Sequence, residues 1–343
     1  MLTSDSAFPN WAALALPLMT VSILGINSAL VGNWIFLSRK SLSSDALSHS
    51  TLPGVMVAFL LFSKDSLYLT FGAVLTSLIA GLLIYLIPRK SYLSPDVATS
   101  TTLSGMFAIG IVLIGFAQNR DNSSGVNHFI FGQASTVSTM DLYIQMFVLL
   151  SVLTFLNFFR SRLKVAIFDK QFAKSIGLPD AALELCLSIL LVLVISTSVQ
   201  TVGVILATAL TVIPPVTARI WTNKLVKLEI ISCLLSLTAA ISGIFASAVA
   251  SHLPTGASIT LVAGLLFFAS LLLSPSRGIT FLFARRTAHN IEIVLDHILL
   301  RIENEQTIKL TQSLALWIAG YLDFTHIISL LRKKKLNTTT PPP

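Results

Sequence analysis

The chain has 343 residues, of which 54% are apolar and 11% charged, with a formal net charge of +8. A soluble domain carries about 25% charged residues, so this composition excludes a globular surface in water. In a soluble chain the positive balance would suggest nucleic acid; here loop placement explains it better.

The first ten residues carry no basic region ahead of the apolar stretch, so no cleavable signal peptide is expected. Eight long apolar runs follow, at 11–37, 66–87, 97–117, 141–159, 182–199, 201–221, 228–250 and 256–273. A bilayer core of about 30 Å needs about 20 helical residues. Lipid offers no partner to a bare backbone amide, so a span is a helix or part of a closed barrel. The runs are continuous rather than alternating, which predicts helices. Cys186 and Cys233 both lie inside such runs, suggesting neither a disulfide framework nor a zinc cluster.

Loop charges give the orientation. Arg39 and Lys40, Arg89 and Lys90, the group Arg160, Arg162, Lys164, Lys170 and Lys174, and then Arg219, Lys224 and Lys227 fall in one set of loops. The opposite set holds Lys64 and Arg120. Cytoplasmic loops carry the Lys/Arg excess, so the first set is predicted to lie inside. This parity requires a further span between Lys40 and Lys64. Its apolar part, 51–62, rises only about 18 Å, so the helix must begin near Leu42 and take Asp45 and His49 with it. The expected fold is therefore an all-α polytopic membrane protein of about nine transmembrane helices, amino terminus outside and carboxyl terminus cytoplasmic.

Asp45 and His49 stand four residues apart, on one helix face. A carboxylate oxygen with an imidazole nitrogen suits Mn²⁺, Fe²⁺ or Zn²⁺, and ionisable groups within a span usually mark a pathway. Ser43, Ser44, Ser48 and Ser50 suggest that this stretch faces water rather than lipid. The competing reading makes Asp45 an interfacial partner or cap for Arg39 and Lys40. Two ligands do not complete a metal site; a second copy across a two-fold axis would supply two more.

Further along, His128 in the outer loop 118–140 and His252 at the outer end of the eighth span are candidates to meet incoming metal, against the plainer reading of solvated loop histidines. Segment 168–178 reads as a short helix ended by Gly177 and Pro179, in the most basic loop. Glu184 and Glu229 read as structural or interfacial. Pro214 and Pro215 must remove hydrogen bonds from the seventh span. The permease part is placed at 1–275, a cytoplasmic helical tail at 276–337 and a disordered end at 338–343. The tail carries Ile291, Val294, Leu295, Ile298, Leu299 and Ile302 at helical spacing. Its basic run 332–335 fits anionic headgroups better than nucleic acid, although helix, turn and helix there also suggest half of a winged helix. No G-x-x-x-x-G-K-[ST] phosphate loop occurs in the sequence, so ATP hydrolysis is not expected of this chain.

Four stretches resemble the ABC-3 permease family. Residues 42–54, LSSDALSHSTLPG, are similar to the signature L-G-D-A-L-S-H-A-x-L-P-G. Residues 168–177, FDKQFAKSIG, resemble the family's D-x-x-x-A-x-x-x-G segment. Val202 through Arg219 resembles V-G-x-L-L…I-P-A-A-T-A-R, and Leu253 through Ile259 is similar to L-P-S-G-A-T-I. Pro215 departs from the single proline of that pattern. The resemblance implies a vitamin-B12-importer-like (type II) permease in a bacterial cytoplasmic (inner) membrane, with no permanently bound cofactor. It implies a divalent Mn, Zn or Fe ion as cargo, with Asp45 and His49 as its ligands. Asp169, Phe172, Ala173 and Gly177 would belong to a coupling helix that docks on a separate ABC ATPase subunit. An extracytoplasmic metal-binding protein and a second permease, identical or related, complete the implied assembly. The rival expectations are a permease for a metal chelate or vitamin, and a secondary transporter driven by an ion gradient.

Overall fold

The computed structural model describes residues 11–62, 66–118, 137–249, 253–274 and 278. The chain divides into two units, Met1–Ser274 and Pro275–Pro343. The tail expectation, the possible metal contacts His128 and His252, and the loop residues Lys64 and Arg120 lie outside the described residues. Within the first unit the described residues form ten α-helices and no strand. They are α1 (Trp11–Leu37), α2 (Ser41–Phe62), α3 (Ser66–Lys90), α4 (Pro95–Gln118), α5 (Thr139–Phe168), α6 (Lys170–Ser175), α7 (Asp180–Val202), α8 (Val204–Trp221), α9 (Leu225–Val249) and α10 (Thr255–Leu273). All except α6 are long and apolar enough to cross a bilayer. The chain is an all-α polytopic membrane protein, and α2 begins where the loop charges require it.

Lipid tails are as apolar as leucine, so helices in a bilayer associate through close packing and hydrogen bonds rather than through hydrophobic expulsion. Three apolar clusters follow that rule. Trp34, Leu163, Leu191 and Ile195 knit α1, α5 and α7. Leu24, Leu206, Leu210, Ile244 and Ile259 join α1 to α8, α9 and α10. Leu52, Met56, Ala73 and Ile114 gather α2, α3 and α4. Helix α1 is also tied by buried amides. Asn27 Nδ2 donates to the backbone oxygen of Gln145 on α5 at 3.1 Å and to its Oε1 at 3.2 Å, and Asn33 Nδ2 donates to Ser232 Oγ on α9 at 2.6 Å.

Helix α2 is fixed by contact of bare backbone. A Cβ on Gly54 would stand 2.0 Å from the carbonyl oxygen of Gly72 on α3, and one on Gly72 would stand 2.4 Å from the oxygen of Gly54. Only glycine at both positions permits this crossing. The serines of α2 do not face water as expected: Ser43, Ser44, Ser48 and Ser50 are all buried. Hydroxyls of Ser48 and Ser50 instead donate to the helix's own carbonyls, of Asp45 at 2.8 Å and Ala46 at 2.6 Å. This back-bonding satisfies a small polar side chain locally, so it can sit against a neighbouring helix without solvent.

Between α7 and α8 stands a single residue, Gly203, at φ 87° and ψ 166°. That region of backbone space is essentially restricted to glycine. Replacing Gly203 by alanine is expected to lower stability by about 1–3 kcal/mol, read as an earlier thermal transition of the purified chain in detergent; an unchanged transition would contradict this account of the bend. Helix α8 runs unbroken through Pro214 and Pro215. Pro215 has no N–H to offer the Thr211 carbonyl four residues back, and that carbonyl lies against α1, where a Cβ on Gly32 would be 2.0 Å from it.

Candidate functional site

Asp45 and His49 occupy the second and third turns of α2. At 1.5 Å per residue they lie about 6 and 12 Å along the helix from Ser41, within the half of the span nearer the basic loops. The imidazole Nε2 and carboxylate Oδ1 are 3.6 Å apart. That is too long for a hydrogen bond but leaves both groups turned toward the same space. The side chain of Asp45 is 49% exposed and that of His49 33%, whereas most of α2 around them is buried. The His49 ring meets the edge of Phe107 on α4, with centroids 5.2 Å apart and an interplanar angle of 82°, which limits how the imidazole turns. Beside Phe107, α4 exposes Ser104, Gly105 and Ala108. Among the described residues no group of three or more His, Cys, Asp and Glu gathers to hold a metal, so Asp45 and His49 have no third such side chain beside them there.

The basic loop after α5 is equally defined. Asp169 caps α6: its carboxylate accepts from the Phe172 N–H at 2.8 Å. At the other end Gly177 adopts φ +69°, its N–H donates to the Lys174 carbonyl at 3.1 Å, and the Leu178 N–H donates to the Ala173 carbonyl at 2.9 Å. These paired bonds are a Schellman ending, which needs a left-handed residue just past the helix. Ala173 is fully buried and Phe172 is 51% exposed. The segment thus presents an aromatic side chain on a helix closed at both ends.

Ion pairs brace this end of the molecule. Glu184 on α7 accepts from Lys40 and, at 2.9 Å, from Arg89. Sharing Glu184 does not offset burial and the nearby charges of Lys170 and Arg89, which pull the Lys40 ammonium down to about 8. Glu229 on α9 pairs with Arg160 on α5. Both glutamates therefore have cationic partners. Sequence reasoning passed over these pairings because the partners lie far apart in the chain. Cys186 and Cys233 are free thiols.

The profile of the ABC 3 transport family matches residues 11–274. The zinc transport system membrane protein TroC of Treponema pallidum (strain Nichols) is 36% identical over 271 residues, covering 77% of this chain and 89% of that protein. The manganese transport system membrane protein MntC of Bacillus subtilis (strain 168) is 35% identical over 260 residues, or 75% of this chain, and the match spans only 60% of that relative's length. Among solved structures, PsaBC from Streptococcus pneumoniae in complex with Fab superposes with a TM-score of 0.68 at 32% identity, covering 78% of this chain and 94% of the other. A putative metal-chelate type ABC transporter in an inward-facing conformation shares the fold, with a TM-score of 0.64 at 17% identity over 79% of this chain and 91% of the other.

Proposed function

The chain belongs to the ABC 3 transport family, and from that premise we propose that it is the membrane-spanning permease subunit of an ATP-driven importer of a divalent transition metal, manganese or zinc foremost and iron within reach of the same ligands. The observation that carries the reading is the Asp45–His49 pair. In a tetrahedral site with bonds of about 2.0 Å to oxygen and nitrogen, neighbouring ligand atoms stand roughly 3.3 Å apart. The 3.6 Å between Nε2 and Oδ1 needs little adjustment to admit such an ion. A carboxylate and an imidazole without a thiolate suit these metals rather than softer ones.

The exposure of the pair supports a second permease against it. A carboxylate facing lipid costs about 2.5–3.5 kcal/mol at the centre of a span and less toward the end where Asp45 lies, so this surface is expected to be covered by protein or water. A second copy, or a related permease, placed over α2 and the small exposed residues of α4 completes the donor set and removes that cost. Asp45 and His49 then hold the partly dehydrated ion between two chains, while the basic loops face the cytoplasm of a bacterial cell. An extracytoplasmic metal-binding protein delivers the ion at the other face. Access changes when α6 is moved by an ATP-hydrolysing subunit, since this chain has no phosphate loop of its own.

The rival readings differ in what they require. An importer of chelates or vitamins has no use for the Asp45–His49 pair, and a gradient-driven carrier has no use for α6. The test of the coupled reading is recovery of the ATPase with this chain from membranes that make both. Phe172→Asp is expected to reduce that recovery at least about tenfold, since a central aromatic anchor is worth about 2 kcal/mol or more. Undiminished recovery would remove α6 from the interface, and no ATPase with the unaltered chain would favour the carrier.

A further inference from the structure

At the basic end of the helices a cavity of about 630 Å³ opens between the close of α1, the close of α5 and the start of α7. Arg39, Lys40, Lys170 and Arg219 line it, against the carboxylates of Asp180 and Glu184. Glu184 is already taken up by Lys40 and Arg89, so the lining keeps an excess of positive charge. Apolar side chains with accessible surface line it too, Phe36, Leu37 and Ile167 half-buried and Phe168 64% exposed. The cavity is therefore two-sided in chemistry, with cationic groups beside apolar ones. Burial first, and then repulsion from Lys170 and Arg89, draw the Lys40 ammonium down to about 8. An anion entering here would relieve that repulsion.

We infer that this cavity binds the headgroup of an anionic phospholipid from the leaflet at the basic end, its phosphate held by Arg39, Lys40, Lys170 and Arg219 and its glycerol and upper acyl carbons lying against Leu37, Ile167 and Phe168. Basic pockets between transmembrane helices are a recurrent form of headgroup site, and a planar guanidinium can donate two hydrogen bonds to a pair of phosphate oxygens. A free phosphate would satisfy the cations but leave the apolar wall uncovered. The bound lipid would join α1 and α5 to Lys170, the first residue of α6, and so brace the loop that carries Phe172. The inference stands on the cavity and on the membrane fold, independently of the metal reading.

The test uses the purified full-length chain in a neutral detergent, with thermal stability followed as lipid is added. Dioleoyl phosphatidylglycerol is expected to raise the melting temperature by several degrees in a saturable way, as any ligand selective for the folded state does. Phosphatidylcholine with the same acyl chains is expected to give little shift, and glycerol phosphate none. Arg39→Gln combined with Lys170→Gln should abolish the response to phosphatidylglycerol. Both side chains are exposed, so the fold should survive the change. Arg162→Gln, an exposed cation of the same face outside the cavity, should leave the response intact. Equal loss in the two variants would reduce the effect to general surface charge and overturn the inference. So would a full response to glycerol phosphate, which would indicate a site for a free anion, or no selectivity for phosphatidylglycerol over phosphatidylcholine.

Discussion

Cells that carry Asp45→Ala together with His49→Ala are expected to lose transporter-dependent accumulation of one transition metal while the chain remains in the membrane at its normal level. Altering residues that merely support metal ligands lowers metal affinity by about 10–100-fold, so removing two ligands should cost at least about 100-fold. Neither side chain anchors the packing of α2. That work falls on Gly54 against Gly72 and on the buried apolar residues Leu52, Val55 and Met56. The loss should therefore appear as function and not as stability. Asp45→Asn, which keeps the oxygen but not the charge, should fall between the double variant and the unaltered chain. Multi-element mass spectrometry of the cells gives the readout. Unchanged metal content in the double variant would return the pair to an interfacial role beside Arg39 and Lys40.

Arg160→Ala should produce the opposite pattern, a loss of stability. The Glu229 side chain is only 12% exposed, and its ionic partner across the α5–α9 contact is Arg160. Removing one member of a buried pair leaves the other charge uncompensated, at a cost of about 3–5 kcal/mol. Arg160 is itself a third exposed, so water can reach part of the site and the lower end, about 3 kcal/mol, is expected. Adding Glu229→Gln to Arg160→Ala should recover much of the loss, because the uncompensated charge then disappears. A double-mutant cycle on thermal or denaturant unfolding in detergent gives the coupling directly. If the two single changes simply add, the pair contributes nothing to stability.

The helices were legible in the sequence to different degrees, for physical reasons. Continuous apolar runs mark α1, α3, α4, α5, α7, α8, α9 and α10 because lipid accepts only internally bonded backbone. The continuous apolar part of α2, 51–62, is too short to cross by itself, and the loop charges on either side located the full helix. Its serines then misled: in the folded chain Ser43, Ser44, Ser48 and Ser50 are buried, and Ser48 and Ser50 are satisfied there by carbonyls within a turn of themselves. Whether such a hydroxyl needs water depends on the neighbouring helix, which local sequence does not specify.

Tertiary partners were hidden for the same reason. The contact of Gly54 with Gly72 and the pairing of Arg160 with Glu229 join residues on different helices. Each looks ordinary in its own stretch of chain. The close of α6 was readable because a left-handed glycine acts within a few residues, whereas the Asp169 cap at its start came from the structure. Asp45 and His49 were readable as a pair from their spacing, but the Phe107 ring that limits the imidazole comes from α4 and has no local signal.

The most direct test of the account is ATP-dependent uptake of radiolabelled Mn²⁺ and Zn²⁺ into proteoliposomes holding this chain with its ATPase and metal-binding partners. The account requires uptake of at least one of these ions that stops without ATP and is lost with Asp45→Ala plus His49→Ala. Uptake that persists without ATP and follows an imposed ion gradient, or that is indifferent to Asp45 and His49, would contradict it.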